Sequence, residues 1–306
     1  MPAPSNPGQD PNPEDIVRRF IAERGDLFEE FHLMARAIPE TVNHIRRTAG
    51  YVHFYENQTA PDQELSGPMR ELIATCQLCA RNDDRFAPNH IRRLYRMGVT
   101  NRVVFEAGAA IAPIVGWSTI AHVAQAILTA NDPKYPYGDL PAGGEPAALT
   151  PFPELELGRD CAGGTDPGLL QTPEWKYVAS IDAELARRAA AFVDHCLLAG
   201  GARGALLGPG ARELIAIAAL CARGEADLAA AHIARAYQYG VTRRQVLEAI
   251  SCILPMTGAL TVQIGARAMQ QAEAAATAKT LRGGGEEQMQ KPNRQGAKAP
   301  RKRKNN

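Results

Sequence analysis

The sequence predicts an all-α fold made of two tandem helical repeats, and three observations lead there. The same unit occurs twice: Glu71–Ala107 slides onto Glu213–Ala249 without a gap, 142 positions on, with 20 of 37 positions identical. Self-similarity at a fixed period marks a unit that buries its apolar face against its own kind. The punctuation is helical in both copies. Gly98 and Gly240 suit the left-handed position after a helix C-terminus, and Thr100 and Thr242 stand where an N-cap is wanted, Thr242 with Gln245 at capping-box spacing. Val, Ile and Thr almost nowhere alternate with period two, which leaves no case for strands.

Taken in order, residues 1–13 are rich in Pro and Asn and are expected to be a disordered N-terminus. Residues 14–131 carry the first repeat. Inside it Arg81-Asn82-Asp83-Asp84 is a polar break between two helical runs, and Pro113 with Gly116 close behind should end or kink the next helix. Residues 132–173, rich in Pro and Gly, read as a connector, and one that long is expected to wrap the surface or serve the site. Residues 174–278 repeat the pattern, with Arg223-Gly224-Glu225 as the break and Pro255 and Gly258 as the later stop. Residues 279–306 form a basic tail with nine Lys/Arg against two Glu, a net of +7, so the rest of the chain sums to −6 against a formal total of +1. Without aromatics or apolar periodicity this tail reads as solvated and disordered rather than as a nucleic-acid-binding arm.

At 306 residues, 45% hydrophobic and 22% charged, the chain can build two modest cores. Its start shows no charged-then-apolar signal pattern, and no apolar run approaches the ~20 residues that span a bilayer. Six cysteines in this length make no dense disulfide framework. A cytoplasmic protein without membrane contact is the expectation.

The copies also agree on polar residues that packing alone does not demand: Glu71 with Glu213, His90 with His232, Arg93 with Arg235, Tyr95 with Tyr237, and upstream His53 with His195. Glu71 and His90 flank the polar break evenly, so in an antiparallel hairpin they face each other across roughly 8–10 Å of interaxial distance. A Glu near its helix start, favoured as an anion by the dipole and disfavoured by burial, beside a His, suits general acid/base work. A buried Glu–His pin between helices is the alternative. Arg93 and Arg235, three residues after the His, could clasp a substrate carboxylate or make a structural ion pair. His53 and His195 complete a two-His, one-carboxylate set per repeat, formally a metal facial triad. The spacing is loose for that, so a second acid/base group or a core His is preferred and no metal is expected. Cys76-Gln77-Leu78-Cys79 is a CxxC without a second cluster, and only Cys79 recurs, as Cys221, which favours buried packing.

R-E-L-I, a His 19 residues after the Glu, a Gly eight after the His, then G-V-T and E-A, together resemble the carboxymuconolactone decarboxylase/alkylhydroperoxidase-D-like superfamily over about residues 40–126 and 182–268. The resemblance implies an all-helical fold assembled as trimers or hexamers, and for a fused tandem a homo-oligomer, a trimer being favoured. The peroxidase branch carries cysteines seven and four residues before the His, where this chain has Asp83 and Phe86, then Glu225 and Leu228. The decarboxylase branch's Trp-rich and R-P-G-L segment is also missing.

The expected activity is therefore that of a cofactor-independent acid/base enzyme on a small carboxylated lactone or oxo acid. Decarboxylation leads, with isomerisation or lactone opening as variants. The substrate's own carbonyl would accept the charge left when carbon dioxide departs. Carboxylate binding is assigned to Arg93, proton delivery to His90 and the tuning of His90 to Glu71, with His53 as a further acid/base group. Glu213, His232, His195 and Arg235 are the second set. Copy one is expected to be the working one, because Tyr55, Phe86 and Trp117 would give it an aromatic lining. Two other readings stand beside this: a non-catalytic oligomeric scaffold or binding protein, and peroxide reduction through displaced thiols.

Overall fold

A computed structural model describes residues 12–24, 28–53, 63–83, 85–134, 144–161, 172–198 and 205–289. Among them the protein is all-helical, with no strand. The first repeat contains α1 (Pro13–Arg24), α2 (Glu29–Ala37), α3 (Pro39–His53), α4 (Gly67–Ala80), α5 (Ala87–Arg96), α6 (Asn101–Val115) and α7 (Ser118–Ala130). The second contains α8 (Pro173–Ile181), α9 (Ala183–Val193), α10 (Pro209–Arg223), α11 (Ala226–Gln238), α12 (Arg243–Ser251), the short α13 (Leu254–Thr257) and α14 (Ala259–Met289). None of these helices is long and apolar enough to cross a membrane.

The centre is α4 packed on its repeat-mate α10. Both are buried on nearly every side, as a helix at the heart of a domain must be. Ser66 starts α4 by accepting from Met69 N, and Gln77 Nε2 donates to the Ala218 carbonyl across the helix pair at 3.2 Å. One apolar core runs through both repeats, while α1–α3 add a satellite of Ile16, Phe20, Ala35 and Val42.

Two glutamates exchange hydrogen bonds between the repeats. Glu106 on α6 accepts from the backbone N–H of Leu206 and Leu207 at 2.8 and 3.0 Å, where the chain enters α10. Its mate Glu248 on α12 accepts from Glu64 and Leu65 at 3.1 and 2.9 Å, where the chain enters α4. Each repeat thus satisfies the backbone that leads into the other's central helix. The described part of the connector is a strap over the same ends. Glu154 takes Ser66 N and Oγ at 2.8 and 2.6 Å, and Leu157 O accepts from Gly210 N at 2.9 Å. The strap comes so close that a Cβ on Gly208 would meet Leu157 O at 2.5 Å.

Gly98 and Gly240 both hold φ +79°, and Thr242 with Gln245 forms the capping box. Thr100 caps only by backbone position, with no side-chain bond. Pro113 lies inside α6, which stops at Gly116, whereas around Pro255 the second repeat breaks into α12 and α13. The long helix α14 continues through Gly283–Gly285 to Met289, into the segment 279–306 expected to be a disordered tail, since glycine costs a helix about 1 kcal/mol per residue without forbidding it.

Candidate functional site

The hairpin of α4 and α5 turns at Arg81–Asp83, with Asn82 in the left-handed region at φ +60°. This brings Glu71 and His90 together as their symmetric placement about the turn requires. His90 Nδ1 lies 2.6 Å from Glu71 Oε2, and Arg93 Nε donates to Oε1 at 2.7 Å. His53, from the end of α3, places Nε2 2.8 Å from the same Oε1, with its ring edge-on to that of His90 at 5.2 Å. All four side chains are buried.

Burial opposes charge on Glu71, but Arg93, His53 and His90 together outweigh it and hold the carboxyl well below its usual range. His90 moves the other way for a base. Burial, with Arg93 beside it, outweighs the pull of Glu71 and lowers its pKa to about 3. The resting pair is therefore carboxylate and neutral imidazole. An ionised oxygen 2.6 Å away assigns the ring hydrogen to Nδ1. Arg93 Nη2, 2.8 Å from that nitrogen, could donate to it only in the other tautomer. Nε2 is left with its lone pair.

His53, His90 and Arg93 line a cavity of about 60 Å³, together with Phe86 and Asn89. At about 15 Å³ per water this holds roughly four waters, or one small organic molecule. Phe28 and Phe31 of the N-terminal helices close one side, Phe28 standing edge-on to Phe86 at 5.0 Å. Cys252, Ile253, Pro255 and Met256 of the second repeat close the other. The cavity thus belongs to neither repeat alone.

The second repeat rebuilds the cluster but not the opening. His232 Nδ1 sits 2.8 Å from Glu213 Oε2 and Arg235 Nε donates to Oε1 at 2.6 Å, yet Glu213 and His232 are 0% exposed. His195 is exposed on the π-helix Asp194–Leu198, and no contact joins it to Glu213 among the described residues. The wider π turn rotates side chains off the register that α3 keeps as far as His53. Equivalent sequence positions therefore do not give equivalent sites.

Other expected positions also change. Trp117 is 73% exposed and lies outside the cavity wall, because it precedes α7 on the far side of Gly116. Tyr55 lies outside the described residues. Arg93 reaches the wall, but its fork is turned onto Glu71 and His90, so its first task is to keep Glu71 ionised. Arg235 is turned inward on Glu213 in the same way. His53, Glu71 and His90 each bring a donor atom within 4.8 Å of the others, which could hold a metal ion. A dication there would face the Arg93 guanidinium across the same carboxylate. Cys76 and Cys79 are buried in the core, and burial pushes the Cys76 thiol well up. Sequence reasoning missed Asn89, Phe28, Phe31 and Cys252. Asn89 and Cys252 had a usable signal, since the repeat alignment sets them against Ala231 and Ala110.

A model of the carboxymuconolactone decarboxylase family matches residues 48–128 and 188–283. No curated protein matches the chain.

Proposed function

The chain belongs to the carboxymuconolactone decarboxylase family, whose model covers more than half of it in two segments, and on that basis we propose an acid/base enzyme acting on one small carboxylated lactone or oxo acid per chain, in the cavity beside the Glu71–His90–Arg93 cluster. The observation that carries this reading is the contrast between the two clusters. In the second repeat Glu213 and His232 are sealed, while in the first His90 and Arg93 line a cavity of about 60 Å³ with Glu71 directly behind them.

The neutral His90 acts first as a base. Its Nε2 takes the proton of the substrate's carboxylic acid, and the imidazolium so formed sits against the Glu71 carboxylate, 2.6 Å from Nδ1. The substrate carboxylate then loses carbon dioxide, and its own carbonyl holds the electron pair as an enolate. His90 returns the proton to carbon. The proton is carried rather than consumed, so one residue serves both steps. Arg93 keeps Glu71 charged throughout, and the apolar walls of Phe28, Phe31 and Phe86 exclude water that would quench the enolate elsewhere. Proton removal and return without loss of carbon dioxide would isomerise a substrate with the same groups.

The test is carbon dioxide release from a panel of small carboxylated lactones and 3-oxo acids by the full chain and by His90→Gln. Turnover should fall about 10²-fold or more in the variant. A folded His90→Gln variant with full activity would refute the mechanism.

A further inference from the structure

The sealed repeat shows that Glu, His and Arg suffice as a clamp between helices. The groups that this clamp does not explain are those found only beside the cavity: His53 turned inward where His195 is exposed, Asn89 where Ala231 stands, and Cys252 where Ala110 stands. Two of these groups form a chain with Glu71 behind them. Cys252 Sγ lies 3.2 Å from His53 Nδ1, and His53 Nε2 lies 2.8 Å from Glu71 Oε1. Nδ1 stands 3.2 Å from the Cys252 carbonyl oxygen as well as from the thiol, and the tautomer with its hydrogen on Nε2, toward the ionised Glu71, is the one in which Nδ1 serves the thiol as base. Nucleophile, base and orienting carboxylate thus follow one another in the order used by acyl-transfer enzymes, and both Cys252 and His53 line the cavity.

We propose that Cys252 is a nucleophile that accepts an acyl group from a small activated ester or lactone in this cavity, with His53 as its base and Glu71 as the residue that positions His53. This deepens the proposed function by adding covalent lactone opening at the same site, and it does not depend on decarboxylation. Sγ attacks the carbonyl carbon and the thiol proton passes to His53 Nδ1. The ring C–O bond breaks, and the departing alkoxide takes that proton. Water, with His53 again as base, then hydrolyses the thioester to the hydroxy acid and restores the thiol. No electrons are gained or lost.

At rest Cys252 is a thiol. Burial, with the nearby Glu71 charge, pushes it well above the ordinary cysteine range, and the Arg70 carbonyl at 3.2 Å is a second acceptor for its hydrogen. Reaction therefore requires His53 to take the proton as the bond forms, which separates this thiol from one that reacts as a free thiolate.

The full chain is incubated with vinyl acetate, a reagent small enough for the cavity, and acetylated peptides are mapped by mass spectrometry with and without hydroxylamine. The expected product is a hydroxylamine-labile acetyl thioester at Cys252. It should form about 100-fold more slowly in His53→Gln and be absent in Cys252→Ala, which carries the residue the aligned Ala110 position already has. Circular dichroism checks that each variant is folded, and His53→Asn serves as a second base-less variant. The proposal is overturned if no thioester forms at Cys252 in the folded protein, if label is confined to the partly exposed Cys161, or if the base-less variants react as fast as the parent. Carbon dioxide release is measured separately and tests His90. The thiol stands or falls on the thioester alone.

Discussion

Lowering the pH from 7 to 5 should destabilise the native protein through His90 in particular. In the unfolded chain this imidazole titrates near 6.5, whereas in the fold burial and Arg93 lower it to about 3. Between those values the unfolded state binds a proton that the native state refuses, so stability is complete above about pH 6.5 and is lost as the pH falls toward 3. One proton over the 1.5 units from 6.5 to 5 amounts to about 2 kcal/mol at 1.36 kcal/mol per unit. At pH 7 the same term is about 0.2 kcal/mol. The figure hardly depends on where below 4 the folded value lies, because the native ring is neutral throughout the interval. Glu71, also depressed, acts with the same sign but only below its unfolded value of 4.5, which pH 5 avoids. Urea unfolding followed by circular dichroism at the two pH values measures the loss. The same pair of measurements on His90→Gln subtracts every other histidine. Wild type should lose about 2 kcal/mol more than the variant between pH 7 and 5. An equal loss in both proteins would show that His90 takes up its proton in the fold and would remove the neutral base from the mechanism.

His232→Ala should leave carbon dioxide release unchanged while costing about 3–5 kcal/mol in the same urea assay, because it strips a partner from a fully buried carboxylate; a comparable loss of turnover would make the second repeat a working site. Glu248→Ala should lower stability by about 2 kcal/mol, since it leaves the Glu64 and Leu65 N–H groups without their acceptor, and thermal unfolding that matches the parent would refute the cross-repeat role. Light scattering should find more than one chain of 33.0 kDa per particle, three being the number the family resemblance implies, because α8 and α9 bury no residue and expose Tyr177, Ile181, Leu185 and Phe192 for contact. A monomer at micromolar concentration would refute it.

The fold was readable because helix signals are local. Gly98, Gly240 and the Thr242–Gln245 box act within one turn, and the symmetry of Glu71 and His90 about a polar break is a property of any antiparallel hairpin. The cavity was harder to read because its walls come from far apart in the chain. Phe28 lies upstream of the self-similar segment Glu71–Ala107, and Cys252 is 199 positions from His53, whose ring it meets. Spacing within one repeat carries no record of such meetings. Trp117 misled for a related reason: an aromatic residue raises the odds of a lining, but nothing local to Gly116-Trp117 says which way the loop faces. His195 misled through the repeat itself, since a π turn leaves the alignment intact and moves the side chain.

Recurrence in a duplicated protein therefore has to be weighed by what surrounds each copy. Glu213, His232 and Arg235 reproduce the first cluster's contacts within a few tenths of an ångström, at 2.8 and 2.6 Å against 2.6 and 2.7 Å. They do so with no exposure at Glu213 and His232. A cluster that persists where no substrate can reach it is held by its structural value, since a buried carboxylate without partners would cost several kcal/mol. Chemistry needs the same cluster plus access, and access comes from the parts that differ: the α1–α3 cap, Asn89, the inward His53 and the Cys252 wall lent by the other repeat. Restoring Asn at position 231 alone should create no second site, because the cap and the thiol wall would still be missing around His232.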